Sequence, residues 1–515
     1  MPSRPAREPA TAPAAAVIGV DSSTQSTKAA VVDAVTGRLL AVGRAPHTVT
    51  GQGGARESDP EEWWQALRTA VAAALADSGL DPADVIGIAV AGQQHGLVVL
   101  DADGGPLRPA LLWNDTRSAP QAAALTAALG RETWLDRTGS VPVASMTAAK
   151  WMWLREHEPA TAAAAAAVRL PHDFLTERLS GAAVTDPGDA SGTCWYSPGA
   201  QTQDPGSRGY DPGAQTHGPG SRGYDPELLA LTGMRAELLS TVAATGATRA
   251  GGLTEQAARA LGLPAGIPVA AGTGDNMAAA VGLGLGAEGL LDHPVVSLGT
   301  SGTVFAATRN RPHSALLAGF AGADGTHLPL GCTLNCTLAV DKVAALLGLD
   351  REDAAPGGEA VLLPFLDGER TPDLPAASGL LHGLRHDTTR QQILGAAYEG
   401  AVVAVLRALD ELPLDAPDAP LRLIGGGARG TMWVETVRRL SGRPLVVPEA
   451  AELVALGAAA LAAGAATGRD PVALATEWGT GRGRELPAVP RDTATWDRVA
   501  SVLDRAAPAL LAAHP

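Results

Sequence analysis

Residues Ala16–Ala45 read AVIGVDSSTQSTKAAVVDAVTGRLLAVGRA, and the fold follows from how this stretch turns. Three short apolar runs, Ala16–Val20, Lys28–Asp33 and Arg38–Gly43, read as strands. The turn between the last two holds Gly37, where a tight hairpin needs a positive φ. The turn between the first two, DSSTQST, is different. One carboxylate, Asp21, precedes small and polar side chains, the composition of a loop that wraps an anion with backbone N–H and hydroxyl donors.

The unit returns in mid-chain as VVSLGTSGTVFAAT, Val295–Thr308, again strand, Gly/Ser/Thr turn, strand. A chain of 515 residues exceeds what one core usually organises. Two related domains, each offering one polar loop to a shared cleft, account for the echo. A third glycine-rich turn, RLIGGGARG at Arg422–Gly430, lies between a strand and the helical TMWVETVRRLSG, a place where a nucleotide can approach backbone. Helices are predicted for DPEEWWQALRTAVAAALADSG, with Asp59 as N-cap and Pro60 at the first position, and for RQQILGAAYEGAVVAVLRALDEL.

Composition narrows the function. A net charge of −15 gives no general attraction to nucleic acid or anionic lipid, so a phosphorylated ligand must be held locally. No uninterrupted apolar run reads as a membrane span, and the proline-scattered leader 1–14 lacks the apolar stretch of a secretory signal, so the expected setting is the cytoplasm. Cys194, Cys332 and Cys336 lack the partners of a zinc site and are expected to be buried free thiols. PGAQTQDPGSRGYD, Pro198–Asp211, is followed by the near-copy PGAQTHGPGSRGYD, Pro212–Asp225, and reads as a duplicated surface loop.

One carboxylate stands alone in the nearly uncharged GIPVAAGTGDNMAAAVGLG, Gly266–Gly284. Asp275 there either caps the helix that follows or does chemistry on a glycine-flanked turn.

Four motifs give the chain a resemblance to the FGGY family of carbohydrate kinases from about Val17 to about Ala463. They are SMTAAKWMWLREH (Ser145–His157), GLLHGLRHDTTRQQILGAAYE (Gly379–Glu399), AGQQHGLVVLD (Ala91–Asp101) followed by LLWNDTR (Leu111–Arg117), and GTGDN itself. Within that family it is most similar to the members that act on xylulose. It departs at Ser23, where many members have glycine, and at Gln94, where bacterial relatives commonly have Met.

The resemblance implies an α/β fold of two actin-like ATPase (ribonuclease H-like) domains, with mixed sheets flanked by helices and an interdomain cleft. The expected divisions are 15–288, carrying sugar, first phosphate loop and catalytic aspartate, and 289–480, carrying the second phosphate loop and the adenosine site. A C-terminal tail and helix over 481–515 would follow. The implied activity is ATP-dependent phosphorylation of D-xylulose at its 5-hydroxyl by a homodimer using Mg²⁺. Asp275 would be the general base, and Asp21 would act on Mg²⁺.

Gln94, His95, Trp113, Asp115 and Asn276 would bind the sugar. Ser23, Thr24 and Gln25, with Gly299, Thr300, Ser301 and Gly302, would hold phosphates, and Gly425, Gly426, Gly427 and Ala428 would lie along adenosine. Lys28 is either a further phosphate contact or a solvated charge at a strand end. Lys150 and Trp153 are expected to steady the region between the domains, and Glu369 with Arg370 to form an ion pair. The rival readings are a kinase for another polyol, such as ribulose, glycerol or gluconate, an actin-like ATPase doing conformational work, and a sugar-binding regulator without transfer.

Overall fold

The computed structural model describes residues 15–197, 223–374 and 376–511. The leader 1–14 and residues 198–222 of the duplicated segment lie outside the described residues. The end of that repeat is packed rather than a surface loop: Tyr224 is buried, and Asp225 caps the helix Pro226–Thr232 and pairs with Arg137 at 2.5 Å.

The opening stretch forms β1 (Ala16–Ser22), β2 (Ser26–Asp33) and β3 (Leu39–Pro46), each antiparallel to the next. Gly37 turns the second hairpin at φ +69°. Helix α1 (Pro60–Ser78), capped by the Asp59 carboxylate, crosses β2 and β3 and returns the chain to β4 (Val85–Gly92), which lies parallel to β1. Helix α2 (Pro171–Ser180) packs on β4. Strands β5 (Arg249–Gly252) and β6 (Pro268–Ala270) complete the sheet in the order β3-β2-β1-β4-β6-β5. Helix α3 (Asp275–Gly282) follows.

The second half repeats this topology. β7 (Val295–Leu298) and β8 (Gly302–Phe305) form the hairpin, and β9 (Ala318–Ala321) and β10 (His327–Thr333) extend it on one side. β11 (Leu421–Ile424), β12 (Leu445–Pro448) and β13 (Gly483–Leu486) extend it on the other, in the order β9-β10-β8-β7-β11-β12-β13. In each sheet the first strand has a hairpin partner on one side and two successive parallel strands on the other, closed by an antiparallel edge strand, β5 or β13. The stretch set apart as a tail thus supplies the matching edge of the second sheet.

Helices α4 (Thr337–Leu347), α5 (Arg390–Leu409) and α6 (Thr431–Ser441) cover the second sheet. α5 is long and apolar enough to cross a bilayer, and burial against α4, α6 and the C-terminal helix accounts for that apolarity. Helix α7 (Leu453–Thr467) comes from the second half of the chain yet packs on β1 and β4 of the first sheet and against α3. A Cβ at Gly457 would lie 1.8 Å from the Ala278 carbonyl oxygen, so the two backbones meet where only glycine fits. A single apolar cluster runs from Val17 and Ala89 through α3 and α7 to Val295 and Phe305, joining the two sheets. Helix α8 (Thr493–Leu511) closes the far side against α5 and α6.

Candidate active site

Asp21, next to last in β1, lies opposite Lys28 of β2. Its carboxylate is buried, accepts from the Ser23 hydroxyl at 2.5 Å and lies 3.7 Å from Lys28 Nζ. Burial raises its pKa above the usual carboxylate value, with Ser23 and Lys28 pulling the other way. Lys28 is no solvated strand-end charge: its ammonium pairs with Glu452 at 2.7 Å, at the start of α7. Thr24 and Gln25 complete the turn, Gln25 exposed.

Gln94 and His95 lie just past the end of β4, where the extended chain must turn, and His95 takes the left-handed φ of +63°. Asn276 Nδ2 donates to Gln94 Oε1 at 2.8 Å and to Asp275 Oδ1 at 3.1 Å, so one amide joins the two. Gln94 Nε2 is buried without a hydrogen-bond partner among the described residues, a donor left for a ligand oxygen. The His95 ring lies 5.1 Å, centre to centre, from Phe320 of β9, bringing the second sheet to the Gln94–His95 turn. Burial, then Lys150 and Arg370, holds its pKa well below the ordinary value, so the ring is neutral at pH 7.

The Trp113 indole donates to the Thr24 hydroxyl at 3.0 Å, tying the LLWNDTR loop to the first polar turn. Asp115 is committed elsewhere. Its carboxylate accepts from the Arg56 and Arg117 amides and from the Arg117 guanidinium at 2.6 Å, which overcome burial and lower its pKa.

Asp275 is the first residue of α3, and the N-cap is Gly274. The carboxylate accepts the amide of its own neighbour Asn276 at 2.8 Å, and no side chain caps α3. That disfavours the cap as its purpose. Half-buried, its pKa is pushed up to about 7, first by burial, then by the negative charge of Asp21, with Asp189 adding to it. Both carboxylates therefore face one region at the carboxyl ends of β1 and β4.

In the second half, Gly299–Gly302 turns between β7 and β8, with Thr300 exposed. The Thr337 hydroxyl at the start of α4 donates to the Gly299 carbonyl at 2.7 Å. Gly425 adopts φ +87°, and a Cβ there would lie 2.6 Å from the Leu298 carbonyl oxygen. At Gly427 a Cβ would meet Leu298 Cβ at 2.7 Å, whereas at Gly426 it would meet nothing within 4 Å. The two glycine-rich turns therefore share Leu298 as a floor and lie side by side at the ends of parallel strands, with open backbone at Gly426.

The sequence matches the FGGY family of carbohydrate kinases, N-terminal domain, over residues 16–199 and 220–282, and its C-terminal domain over 295–466. Xylulose kinases of Streptomyces coelicolor and Streptomyces rubiginosus are each 56% identical over 500 residues, 96% of this chain and 97% of theirs. The chain belongs to the FGGY family of carbohydrate kinases. Among solved structures, the xylulose kinase from Bifidobacterium adolescentis is 32% identical, with a TM-score of 0.75, covering 95% of this chain and 99% of that one. The break in the N-terminal match, residues 200–219, falls inside the tandem repeat.

Neighbouring residues depart in part from expectation. Glu369 makes no ion pair with Arg370 among the described residues; it accepts the amides of Leu334 and Arg370 and the Asn335 side chain, holding the turn before α4. Lys150 is fully buried and donates to the Ala144 and Ser145 carbonyls, with burial lowering its pKa to about 7. Trp153 stacks on His157 at 4.9 Å and carries Arg117 over its ring at 4.4 Å. Trp153 steadies the Asp115 side of the first half, whereas Lys150 feels both Asp115 and Arg370 of the second half.

The sequence reading missed His172, Asp186 and Asp189, all fully buried, of which Asp189 accepts the His95 amide at 3.3 Å. The partners that tie them to the site, His95 and Thr273, are far away in sequence. The signal available was TDPGDASGT itself, two carboxylates in a small-residue stretch, like the one that marked Asp275.

Proposed function

We propose that the protein transfers the γ-phosphoryl group of ATP to the 5-hydroxyl of D-xylulose, giving D-xylulose 5-phosphate. The observation that carries this reading is the Asn276 side chain bridging Gln94 and Asp275, which holds a sugar-facing amide and a carboxylate of raised pKa in one hydrogen-bonded unit. The names of the 56%-identical relatives support the choice of sugar.

In this reading Asp275 accepts the proton of the attacking hydroxyl and orients it for in-line attack. Gln94 Nε2, neutral His95 and Asn276 take sugar oxygens, Trp113, whose N–H is held by Thr24, offers the sugar its ring, and Asp115, through Arg117, holds the Trp113 loop. Ser23, Thr24 and Gln25 on one side, and Gly299, Thr300, Ser301 and Gly302 on the other, hold phosphates, while Gly425–Ala428 lies along adenosine. A buried carboxylate beside hydroxyls is the hard-oxygen donor set that suits Mg²⁺ carried on nucleotide phosphates, and Asp21 would hold it. Mg²⁺ would supply charge neutralisation at those phosphates. Closure of the two halves excludes water, so ATP hydrolysis without sugar is slow. The enzyme acts as a homodimer in the cytoplasm.

The test is coupled ADP release with Mg-ATP against D-xylulose, D-ribulose, L-ribulose and glycerol, with Asp275→Ala alongside. D-xylulose turnover that collapses in the variant, with ATP still bound, supports the reading. Preference for another sugar moves the substrate within the family, and sugar-independent ATP turnover sinks the kinase reading.

A further inference from the structure

Behind the sugar loop four ionisable side chains share one dry space. His172, near the start of α2, places Nδ1 3.0 Å from Asp189 Oδ2, while its Nε2 is 3.1 Å from Asp173 Oδ1 and 3.8 Å from Asp186 Oδ1. All four are at most 1% exposed. Burial opposes charge on the imidazole, but the three carboxylates outweigh it and push its pKa up to about 9, while burial raises that of Asp186 to about 6. Buried charge of this kind is a poor way to gain stability, and well-packed apolar residues commonly do as well. Its retention calls for another reason.

The outward contacts supply one. Asp189 Oδ1 accepts the His95 amide at 3.3 Å and lies 3.6 Å from its ring Nδ1, so the same carboxylate that grips His172 also faces the residue held at φ +63°. A Cβ at Gly192 would lie 2.0 Å from His95 Nδ1, and Phe320 covers the ring, leaving the imidazole little choice of orientation. On the other side, Asp186 Oδ2 accepts the Thr273 hydroxyl at 2.6 Å, two residues before Asp275. The Asp189 amide in turn donates to Asp186 at 3.0 Å. His95 and the Asp275 turn are thus tied to one buried network.

We propose that Asp189 and His172 are positioning residues for the phosphoryl acceptor, fixing the His95 ring and, through Asp186 and Thr273, the turn that presents Asp275. Neither touches the sugar; they hold the groups that do. The proposal rests on the kinase reading above.

The test measures D-xylulose affinity without ATP, by quenching of tryptophan fluorescence, together with KM for each substrate, kcat and the melting temperature, in wild type, Asp189→Asn and His172→Gln. The expected result is a loss of sugar affinity, and a rise in sugar KM, of about tenfold or more with the ATP KM unchanged. Folded variants with wild-type sugar affinity and KM overturn the proposal, as does an equal loss for both substrates that tracks the folded fraction. Thr273→Val, which deletes a single hydrogen bond, serves if the charged variants do not fold: kcat should fall several-fold at wild-type melting temperature, and an unchanged kcat overturns the proposal. Wild-type protein that does not bind D-xylulose would instead sink the substrate assignment.

Discussion

Lys28 and Glu452 meet at 2.7 Å although 424 residues separate them, so the first hairpin is ion-paired to the helix that the second half lays across it. The same ammonium lies 3.7 Å from Asp21, shared between two carboxylates. Glu452→Gln removes one claim on it, and Lys28 then settles on Asp21, where it would compete with the Mg²⁺ proposed to sit there. The Mg²⁺ concentration for half-maximal rate should rise at fixed ATP. Melting should change little, because a pair about a quarter exposed on each side contributes on the order of 1 kcal/mol or less. An unchanged Mg²⁺ titration would mean that Asp21 does not hold Mg²⁺.

Trp113→Phe keeps an apolar ring but deletes the N–H that donates to Thr24. Since that bond joins the loop assigned to the sugar with the turn assigned to phosphate, its loss should raise KM for sugar and for Mg-ATP together, each about three- to tenfold. An effect on sugar alone would mean that the bond does not couple the two loops. Steady-state kinetics with each substrate varied in turn decides it.

The hairpin arms and both polar turns were legible because their signals are local: short apolar runs, a glycine where φ must be positive, and hydroxyl-rich turns at strand ends. Asp275 stood out as a lone charge among alanines and glycines. What stayed hidden is set by partners distant in the chain. GREL at β13 is mostly polar and only four residues long, and only its ladder with β12 makes it a sheet edge. Glu369 and Arg370 look like an ion pair by adjacency, yet the carboxylate satisfies amides 34 and 35 residues away. Asp189 and His172 carry no pattern of their own until α2 and the TDPGDASGT turn converge behind His95.

Gly425→Ala tests the proposed adenosine side. At φ +87° an alanine is strained, and its Cβ would press on the Leu298 carbonyl oxygen, 2.6 Å away and fixed in the β7 ladder. The turn must shift. The expected outcome is a rise of about tenfold in KM for Mg-ATP with the sugar KM near wild type. A variant with normal ATP kinetics would remove Gly425–Ala428 from the nucleotide site.

Asp275→Asn separates chemistry from stability, and the two should move in opposite directions. Asparagine keeps the shape and cannot take a proton, so kcat should fall by about 10² to 10⁴ while both substrates still bind. In the proposed mechanism Asp275 works as a base when ionised, so kcat/KM for the sugar should rise with pH and level off above about 7, the value to which burial and Asp21 push this carboxyl. The sign for folding is reversed. Folded Asp275 holds a proton up to about pH 7 that the unfolded chain releases near its ordinary 3.8, so its stabilising contribution is present below that value and lost as pH rises through about 7. Asparagine stays neutral throughout and escapes that loss. In ligand-free protein the variant should therefore melt higher than wild type at pH 8 and nearly alike at pH 4. Equal melting shifts at both pH values, or a wild-type rate that does not fall below pH 7, would mean that Asp275 does not titrate in the region its burial sets.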